Sequence, residues 1–189
     1  MFNTEVLDIL ISGGVGVIPT DTLYGIVGRA DLPSTVERIY KTRERNEKKP
    51  CIVLIASIED LNKFGIWVSS EIKEYLESKK LWPGKISIIF SVSDGKFSYL
   101  TRGSGSLAFR VPDNKDLREL IKETGPLIAP SANIEGEPTA TNISDAKVYF
   151  GDKVDFYVDE GEINSEPSTL IKFEKNCPII LREGAVKII

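Results

Sequence analysis

Segments with the periodicity of a helix alternate with segments with the periodicity of a strand along the whole of this 189-residue chain. Such alternation is typical of an α/β protein with an open, mixed, twisted sheet flanked by helices. The segment Cys51–Ala56 is apolar at every position, which indicates a strand covered on both faces of the sheet. The length suits one ordinary domain, so we predict a single α/β domain over residues 1–189.

The same periodicities predict where the elements lie. Apolar and period-two runs indicate nine strands, at 15–19, 24–30, 51–56, 86–91, 106–111, 127–129, 154–158, 168–173 and 179–182. Apolar residues at helical spacing indicate helices at 4–11, 33–40, 57–65, 70–79 and from 113 to 124, the first capped by Thr4 and the last by Asp113. Loops are expected at 20–22, 43–49, 96–105 and 130–142, and binding residues tend to lie on such loops.

The amino-acid composition narrows the chemistry. The chain has no histidine, which excludes Ser-His-Asp and Cys-His nucleophile systems and His-ligated zinc. Its two cysteines, Cys51 and Cys177, are too few for a disulfide scaffold or a four-cysteine metal site. Any activity must therefore rest on Arg, Lys, Thr, Ser, Asn, carboxylates or the backbone.

Charge and hydropathy favour a cytoplasmic protein without membrane partners. The 24 Lys and Arg residues against 28 Asp and Glu give a net charge of −4, which argues against a uniformly basic nucleic-acid binder. The N-terminus has no basic segment before its apolar residues, so we do not expect a secretory signal. The apolar runs are far shorter than the ~20 residues that span a bilayer.

Two polar stretches beside predicted strands are candidate ligand sites. Pro19–Gly25 places two threonines, an aspartate and a tyrosine at a strand end, where α/β sheets bind ligands. The alternative is an ordinary polar turn. Lys41–Pro50 holds five basic residues, which suits a polyphosphate, and the alternative there is a solvated helix end.

Two further segments present polar side chains from extended backbone. Period-two alternation places Arg110 on the opposite face of its strand from Phe109, where a buried guanidinium needs an anion. That anion is either a ligand or a partner in a structural ion pair. Ser131 and Asn133 project to the same side of an extended segment and could hold one ligand or form a local turn.

Taken in order, these segments resemble the YrdC/TsaC family, the threonylcarbamoyl-AMP synthases. Seven ordered blocks are far more specific than any single block, and together they cover essentially the whole chain, in the short form without the second domain of longer members. The blocks are Pro19–Gly25, the basic stretch ending at Lys49-Pro50, Trp82-Pro83-Gly84, Ala108–Pro112, Pro130–Asn133, Pro167–Thr169 and Leu181–Gly184.

The resemblance implies a YrdC-like fold with a concave basic groove. It implies synthesis of L-threonylcarbamoyl-adenylate from L-threonine, bicarbonate and ATP with release of pyrophosphate, with ATP as a substrate and Mg²⁺ as the expected metal. The product would serve N6-threonylcarbamoyladenosine (t6A) modification at position 37 of tRNAs that read ANN codons. The implied partners are therefore tRNA and the t6A transferase machinery.

The resemblance also implies two sets of site residues. Those expected to bind threonine are Thr20, Arg110, Ala129 and Ser168. Those expected to bind ATP are Arg43, Arg45, Lys49, Ser106, Ser131, Asn133, Thr139 and Arg182. No protein nucleophile is expected, because positioning and charge neutralisation can drive the reaction.

Some alternatives stay open at this level. The basic motif of the family aligns either on Arg43-Glu44-Arg45 without a gap or on Lys41-Thr42-Arg43 with an insertion of two residues. Two other functions are compatible with the motifs. One is a non-catalytic module that binds tRNA or double-stranded RNA, and the other is a paralogue that handles carbamoyl-adenylate, as in hydrogenase maturation.

Overall fold

The computed structural model describes residues 2–188, within which nine strands form one sheet. The strands are β1 (Gly16–Pro19), β2 (Tyr24–Arg29), β3 (Ile52–Leu54), β4 (Ile86–Ser91), β5 (Ser106–Arg110), β6 (Leu127–Ile128), β7 (Phe156–Tyr157), β8 (Thr169–Glu174) and β9 (Cys177–Arg182). Their order across the sheet is β7-β1-β2-β6-β3-β5-β4-β8-β9. The pairs β1–β7, β3–β5 and β4–β8 are parallel, and the other neighbouring pairs are antiparallel. The predicted mixed sheet is confirmed.

Helices flank this sheet. They are α1 (Thr4–Ile11), α2 (Pro33–Thr42), α3 (Ser70–Ser78), α4 (Ser98–Thr101), α5 (Lys115–Thr124) and α6 (Ile143–Phe150), with 3-10 turns at Ile58–Phe64, Gly95–Phe97 and Gly151–Lys153. Across residues 2–188, no helix combines the length and the apolar content needed to cross a membrane.

The central strand β3 is covered on both faces, as its apolar sequence predicts. Val53 packs into the larger apolar cluster together with Phe109 of β5. Its neighbour Leu54 turns to the opposite face and packs with Leu10 of α1 and Leu117 of α5. Successive strand residues point to opposite faces, so a strand buried on both sides must be apolar throughout. The strand itself is shorter than the predicted 51–56.

Both predicted N-caps are displaced by one residue. Asn3, not Thr4, caps α1, and its side chain accepts a hydrogen bond from the backbone of the first turn. Asn114, not Asp113, caps α5 in the same way. Asp113 instead donates its backbone N–H to the Asp21 carboxylate at 3.0 Å. An asparagine side chain accepts from the first turn as well as an aspartate or threonine does, so the choice depends on the local backbone path.

Two helices lie in segments for which the sequence predicts no helix. The short helix α4 falls within the predicted loop 96–105, and α6 follows the predicted loop 130–142. In α6 the buried residues are Ile143, Ala146 and Phe150, separated by polar positions and by the exposed Val148. An apolar stripe of so few residues is only a weak sequence signal for a helix. The segment 57–65 is helical as predicted and begins with a capping box, but it has 3-10 geometry.

Candidate functional site

The turn between β1 and β2 presents two threonine hydroxyls at the ends of these strands. Thr20 Oγ1 donates to the Leu23 carbonyl at 2.7 Å and accepts the backbone N–H groups of Thr22 and Leu23 at 3.2 Å each. The segment is therefore the polar turn that its composition allows. The same turn holds both hydroxyls next to the side chain of Arg110.

Arg110 extends from the last position of β5 into a polar, buried environment. Its Nη1 donates to Thr22 Oγ1 at 3.0 Å and its Nη2 donates to Thr20 Oγ1 at 3.4 Å. Nη2 also lies 3.2 Å from Asp21 Oδ1 in an ion pair whose two side chains are buried. Burial lowers the pKa of Arg110, and the Asp21 carboxylate opposes that shift. Because arginine stays protonated, this face of the site carries a fixed cation.

Ser168, directly before β8, is held from two sides. Its hydroxyl lies 2.8 Å from the hydroxyl of Ser87 in β4, and its carbonyl accepts a 2.7 Å hydrogen bond from Arg182 Nη2. The chain then passes so close that any Cβ on Gly184 would collide with the Pro167 carbonyl oxygen. That close approach requires glycine and fixes Arg182 beside Ser168.

Ser131 lies in a hydrogen-bond network with a buried arginine. Its hydroxyl donates to Asn133 Oδ1 at 2.7 Å. Arg43 Nη2 donates to the same oxygen at 2.8 Å and reaches Ser131 Oγ at 3.3 Å, while its Nε donates to the Asn133 carbonyl at 3.0 Å. Burial is the main cause that lowers the pKa of Arg43 to about 10. The network therefore fixes Ser131, whose backbone bridges to Gly25 of β2.

The structure brings all four predicted threonine-binding residues to one cavity of about 310 Å³, here called the Arg110 cavity. Three residues predicted to bind ATP also line it. The seven are Thr20, Arg110, Ala129 and Ser168, with Ser131, Thr139 and Arg182.

A second cavity of about 390 Å³, here called the Arg45 cavity, adjoins the first. Arg45 and Ser106 line it, together with Ser104 and the buried Cys51, whose thiol pKa is raised by burial. The two cavities have four lining residues in common: Ile52, Pro130, Ser131 and Arg182. The two cavities therefore adjoin at these residues, and together they are here called the groove.

Three of the residues predicted to bind ATP line neither cavity. Arg43 and Asn133 are buried behind Ser131. Lys49 pairs with Glu135, with Nζ 2.7 Å from Oε1, and Glu135 Oε2 also accepts the Asn46 backbone N–H at 2.6 Å. The Lys49 hydrogen bond is the main cause that lowers the pKa of Glu135.

Three of the five basic residues of this stretch therefore have partners within the chain. Arg43 is buried, Lys49 is paired, and Arg45 donates to the carbonyl groups of Lys49 and Pro50 at 3.1 and 3.0 Å while lining its cavity. Lys41, the residue that the alternative alignment would use, is exposed and lines neither cavity.

Sequence reasoning did not single out three residues that line the groove or contact its lining residues. The carboxylate that pairs with Arg110 is that of Asp21, which the sequence marks only as part of a polar turn. Ser104 lines the Arg45 cavity from a predicted loop. Ser87 lies under Ser168, and its one signal is a hydroxyl residue inside the otherwise apolar run Ile86–Phe90.

Within residues 2–188, no three His, Cys, Asp or Glu side chains are grouped so as to hold a metal ion. The groove instead carries three guanidinium groups, on Arg45, Arg110 and Arg182, which suit anionic ligands. A divalent cation in this groove would depend on ligand oxygens for most of its coordination, as Mg²⁺ bound to a nucleotide commonly does.

Comparison with known proteins identifies the family to which this chain is related. The Sua5/YciO/YrdC family model, described as telomere recombination, matches residues 8–184. The threonylcarbamoyl-AMP synthase of Pyrococcus abyssi is 32% identical over 178 residues, which are 92% of this chain and 51% of that protein. The threonylcarbamoyl-AMP synthase of Bacillus subtilis is 30% identical over 175 residues, 91% of this chain and 50% of that protein.

A solved structure shows the same architecture. Pyrococcus abyssi Sua5 complexed with L-threonine superposes with a TM-score of 0.86 at 29% identity, covering 95% of this chain and 53% of that one. The chain thus spans about half the length of the curated relatives named above. The family resemblance of the ordered motifs is confirmed, and this chain belongs to the Sua5/YciO/YrdC family.

Proposed function

We propose that this chain joins L-threonine, bicarbonate and ATP into L-threonylcarbamoyl-adenylate and releases pyrophosphate. The observation that carries the proposal is that the Arg110 and Arg45 cavities meet at Ser131 and Arg182. A product that links an amino acid to a nucleotide through one carbonyl group needs two adjoining sites of this kind. The names of the relatives, and the complex of the Pyrococcus abyssi protein with L-threonine, support the choice of substrates.

The chemistry is compatible with a chain that has no histidine. The threonine ammonium group first loses a proton, the free amine attacks the carbon of bicarbonate, and loss of one water leaves an N-carboxylate. An oxygen of that carboxylate attacks the α-phosphorus of ATP, and the bond from this phosphorus to the oxygen bridging to the β-phosphate breaks as pyrophosphate leaves. The protein has to orient three reactants and offset negative charge, which fixed arginines and hydroxyls can do.

The amino acid is assigned to the Arg110 cavity. The guanidinium of Arg110 would bind its carboxylate, since arginine matches the geometry of a carboxylate with two parallel hydrogen bonds. Thr20, Ser168 and the backbone near Ala129 would surround the rest of the molecule. The ion pair with Asp21 holds the guanidinium in place before the substrate arrives.

The nucleotide is assigned to the Arg45 cavity, with its phosphates directed to the junction where this cavity meets the Arg110 cavity. Arg45 and Ser106 line this cavity, and Ser131 and Arg182 stand at the junction where the α-phosphate would meet the N-carboxylate. Thr139 lines the Arg110 cavity and would contact the nucleotide from that side.

The remaining predicted ATP ligands take supporting roles in the proposal. Arg43 and Asn133 hold the Ser131 hydroxyl, and Lys49 would have to leave Glu135 to reach a phosphate. Mg²⁺ would enter with the triphosphate and offset its charge. Transfer to tRNA through the t6A machinery, in the cytoplasm, belongs to the same proposal.

The test is pyrophosphate release measured with all three substrates and with each omitted in turn. Release should require both L-threonine and bicarbonate, and mass spectrometry should detect threonylcarbamoyl-adenylate. Ser131→Ala, at the junction, should weaken the use of threonine and of ATP together, whereas Ser78→Ala, on the exposed side of α3, should change neither. Release at the same rate without threonine would refute the proposal.

A further inference from the structure

Ser87 is a buried hydroxyl residue in the middle of an apolar strand. Its neighbours Ile86 and Ile88 pack into one apolar cluster, so strand alternation turns Ser87 to the opposite face. The antiparallel register of β4 and β5 pairs Ile88 with Phe109. One step further along that register, Ser87 lies opposite Arg110. Ser87 is therefore on the groove face of the sheet, beside Arg110.

The hydrogen-bond environment of Ser87 is unusually simple. Within residues 2–188 its hydroxyl has one hydrogen-bond partner, the hydroxyl of Ser168 at 2.8 Å. Ser87 is 0% exposed and Ser168 is 1% exposed. The Ser168 hydroxyl oxygen also accepts a hydrogen bond from Arg182 Nη2 at 3.4 Å, and a guanidinium nitrogen can only donate. Of the two serines, Ser168 lines the Arg110 cavity.

The number of protons decides the direction of the bond between the two serines. Each hydroxyl carries one proton. If Ser168 donated to Ser87, the Ser87 proton would be buried with no acceptor in the described chain, which costs a hydrogen bond. If Ser87 donates to Ser168, the Ser87 proton is paired, the Ser168 oxygen accepts from both Ser87 and Arg182, and the one unpaired proton is that of Ser168, which can point into the Arg110 cavity.

We propose that Ser87 is a positioning residue that donates to Ser168 and thereby turns the Ser168 hydroxyl into a donor toward the amino-acid substrate. The inference rests on the proposed function and adds a residue that acts through another. The Ser168 proton and the nearby cations of Arg110 and Arg182 together suit an anionic oxygen, on the amino-acid carboxylate or on its N-carboxylate.

The experiment compares Ser87→Ala, Ser87→Thr and Thr124→Val. Ser87→Ala should raise the KM for L-threonine by about tenfold, the factor expected for one hydrogen bond of ordinary strength, with the KM for ATP unchanged. Ser87→Thr keeps the hydroxyl and should remain within about threefold of the wild-type value. Thr124→Val removes a buried hydrogen bond in α5, away from the groove, and should leave both KM values unchanged.

A double-mutant cycle with Ser168→Ala separates positioning from general weakening of the fold. In the Ser168→Ala background, adding Ser87→Ala should have no further effect on the KM for threonine. The inference is overturned if Ser87→Ala leaves this KM unchanged or raises the KM for ATP equally. It is also overturned if the effects of the two substitutions on the KM for threonine multiply. Absence of threonine-dependent pyrophosphate release in the wild-type protein would instead refute the proposed function, and calorimetric titration with L-threonine would then provide the same comparison.

Discussion

Arg110 and Asp21 form a buried ion pair beside the Arg110 cavity, with Nη2 3.2 Å from Oδ1 and side chains only 5% and 3% exposed. The other carboxylate oxygen of Asp21 accepts the backbone N–H of Asp113 at 3.0 Å. The pair therefore ties the β1–β2 turn to the segment after β5. Two buried charges are tolerated because each has the other as its counter-ion. The arrangement holds a cation at the site while the hydroxyls of Thr20 and Thr22 contact its terminal nitrogens.

The first prediction concerns the two parallel N–H donors of the Arg110 guanidinium. Arg110→Lys keeps the positive charge but loses the two parallel donors that match a carboxylate. The KM for L-threonine should rise by about tenfold or more, and the KM for ATP should change by less than about threefold. Steady-state kinetics with each substrate varied measures both. Arg29→Lys, in an exposed ion pair with Asp31, is the matched control. Equal changes in the two KM values would contradict the assignment.

The second prediction concerns the stability that the buried ion pair provides. Asp21→Asn leaves the guanidinium of Arg110 buried without its counter-ion, so the free energy of unfolding should fall by about 3–5 kcal/mol. Asp31→Asn removes a carboxylate from the more exposed pair with Arg29 and should cost less than about 1 kcal/mol. Urea denaturation of both variants measures the difference. Equal losses would show that burial of the pair has no energetic consequence.

The third prediction separates two cations of the basic stretch. Arg45 lines its cavity, whereas the ammonium group of Lys49 is held by Glu135. Arg45→Met should therefore raise the KM for ATP by about tenfold, and Lys49→Met should raise it by less than about threefold. Steady-state kinetics with the ATP concentration varied measures both. A larger effect of Lys49→Met would mean that Lys49 leaves Glu135 and binds phosphate, as the family resemblance implies.

The fourth prediction concerns pH. Asp155 accepts hydrogen bonds from Arg38 Nη1 at 2.6 Å and from the Val15 backbone N–H at 2.7 Å, and the Arg38 hydrogen bond is the main cause that lowers its pKa. A carboxylate with a lowered folded-state pKa stabilises the fold above its ordinary pKa of about 3.9 and loses that effect as the pH falls through the folded value.

Asp155→Asn should therefore destabilise the protein by about 1 kcal/mol at pH 7, a small value because the pair with Arg38 is more than one-third exposed. The difference from wild type should shrink as the pH falls below about 4. Chemical denaturation at a series of pH values measures it, with the exposed Asp152→Asn as control. A difference that stays constant down to pH 2 would contradict the assigned role of the carboxylate.

Strand periodicity predicts the part of the site that lies on the sheet. Alternation in 106–111 puts Arg110 opposite the fully buried Phe109, and a buried guanidinium needs an anion, which the structure supplies in Asp21. The identity of that anion could not be predicted, because Asp21 lies about ninety residues before Arg110 in sequence. The β1–β2 turn and β5 come together only through the order of the strands in the sheet.

Loop geometry explains what the sequence could not predict. The basic stretch has no periodicity, and its path turns at Glu44, which has a positive φ of 52°. That turn sends Arg43 into the network around Ser131 and leaves Arg45 facing the cavity. The pairing of Lys49 with Glu135 joins two loops whose distance apart no local pattern specifies. Charge alone therefore identified a stretch that reaches the groove without identifying which of its cations lines it.

In the proposed function, the two adjoining cavities of the groove hold the amino acid and the nucleotide end to end. The most direct measurement is a crystal structure of this chain with L-threonine, bicarbonate and a non-hydrolysable ATP analogue. We predict the amino-acid carboxylate within hydrogen-bond distance of Arg110, and the α-phosphate between Ser131 and Arg182. Ligands held in separate places, with no contact to Arg110 and with the α-phosphate away from that junction, would contradict it.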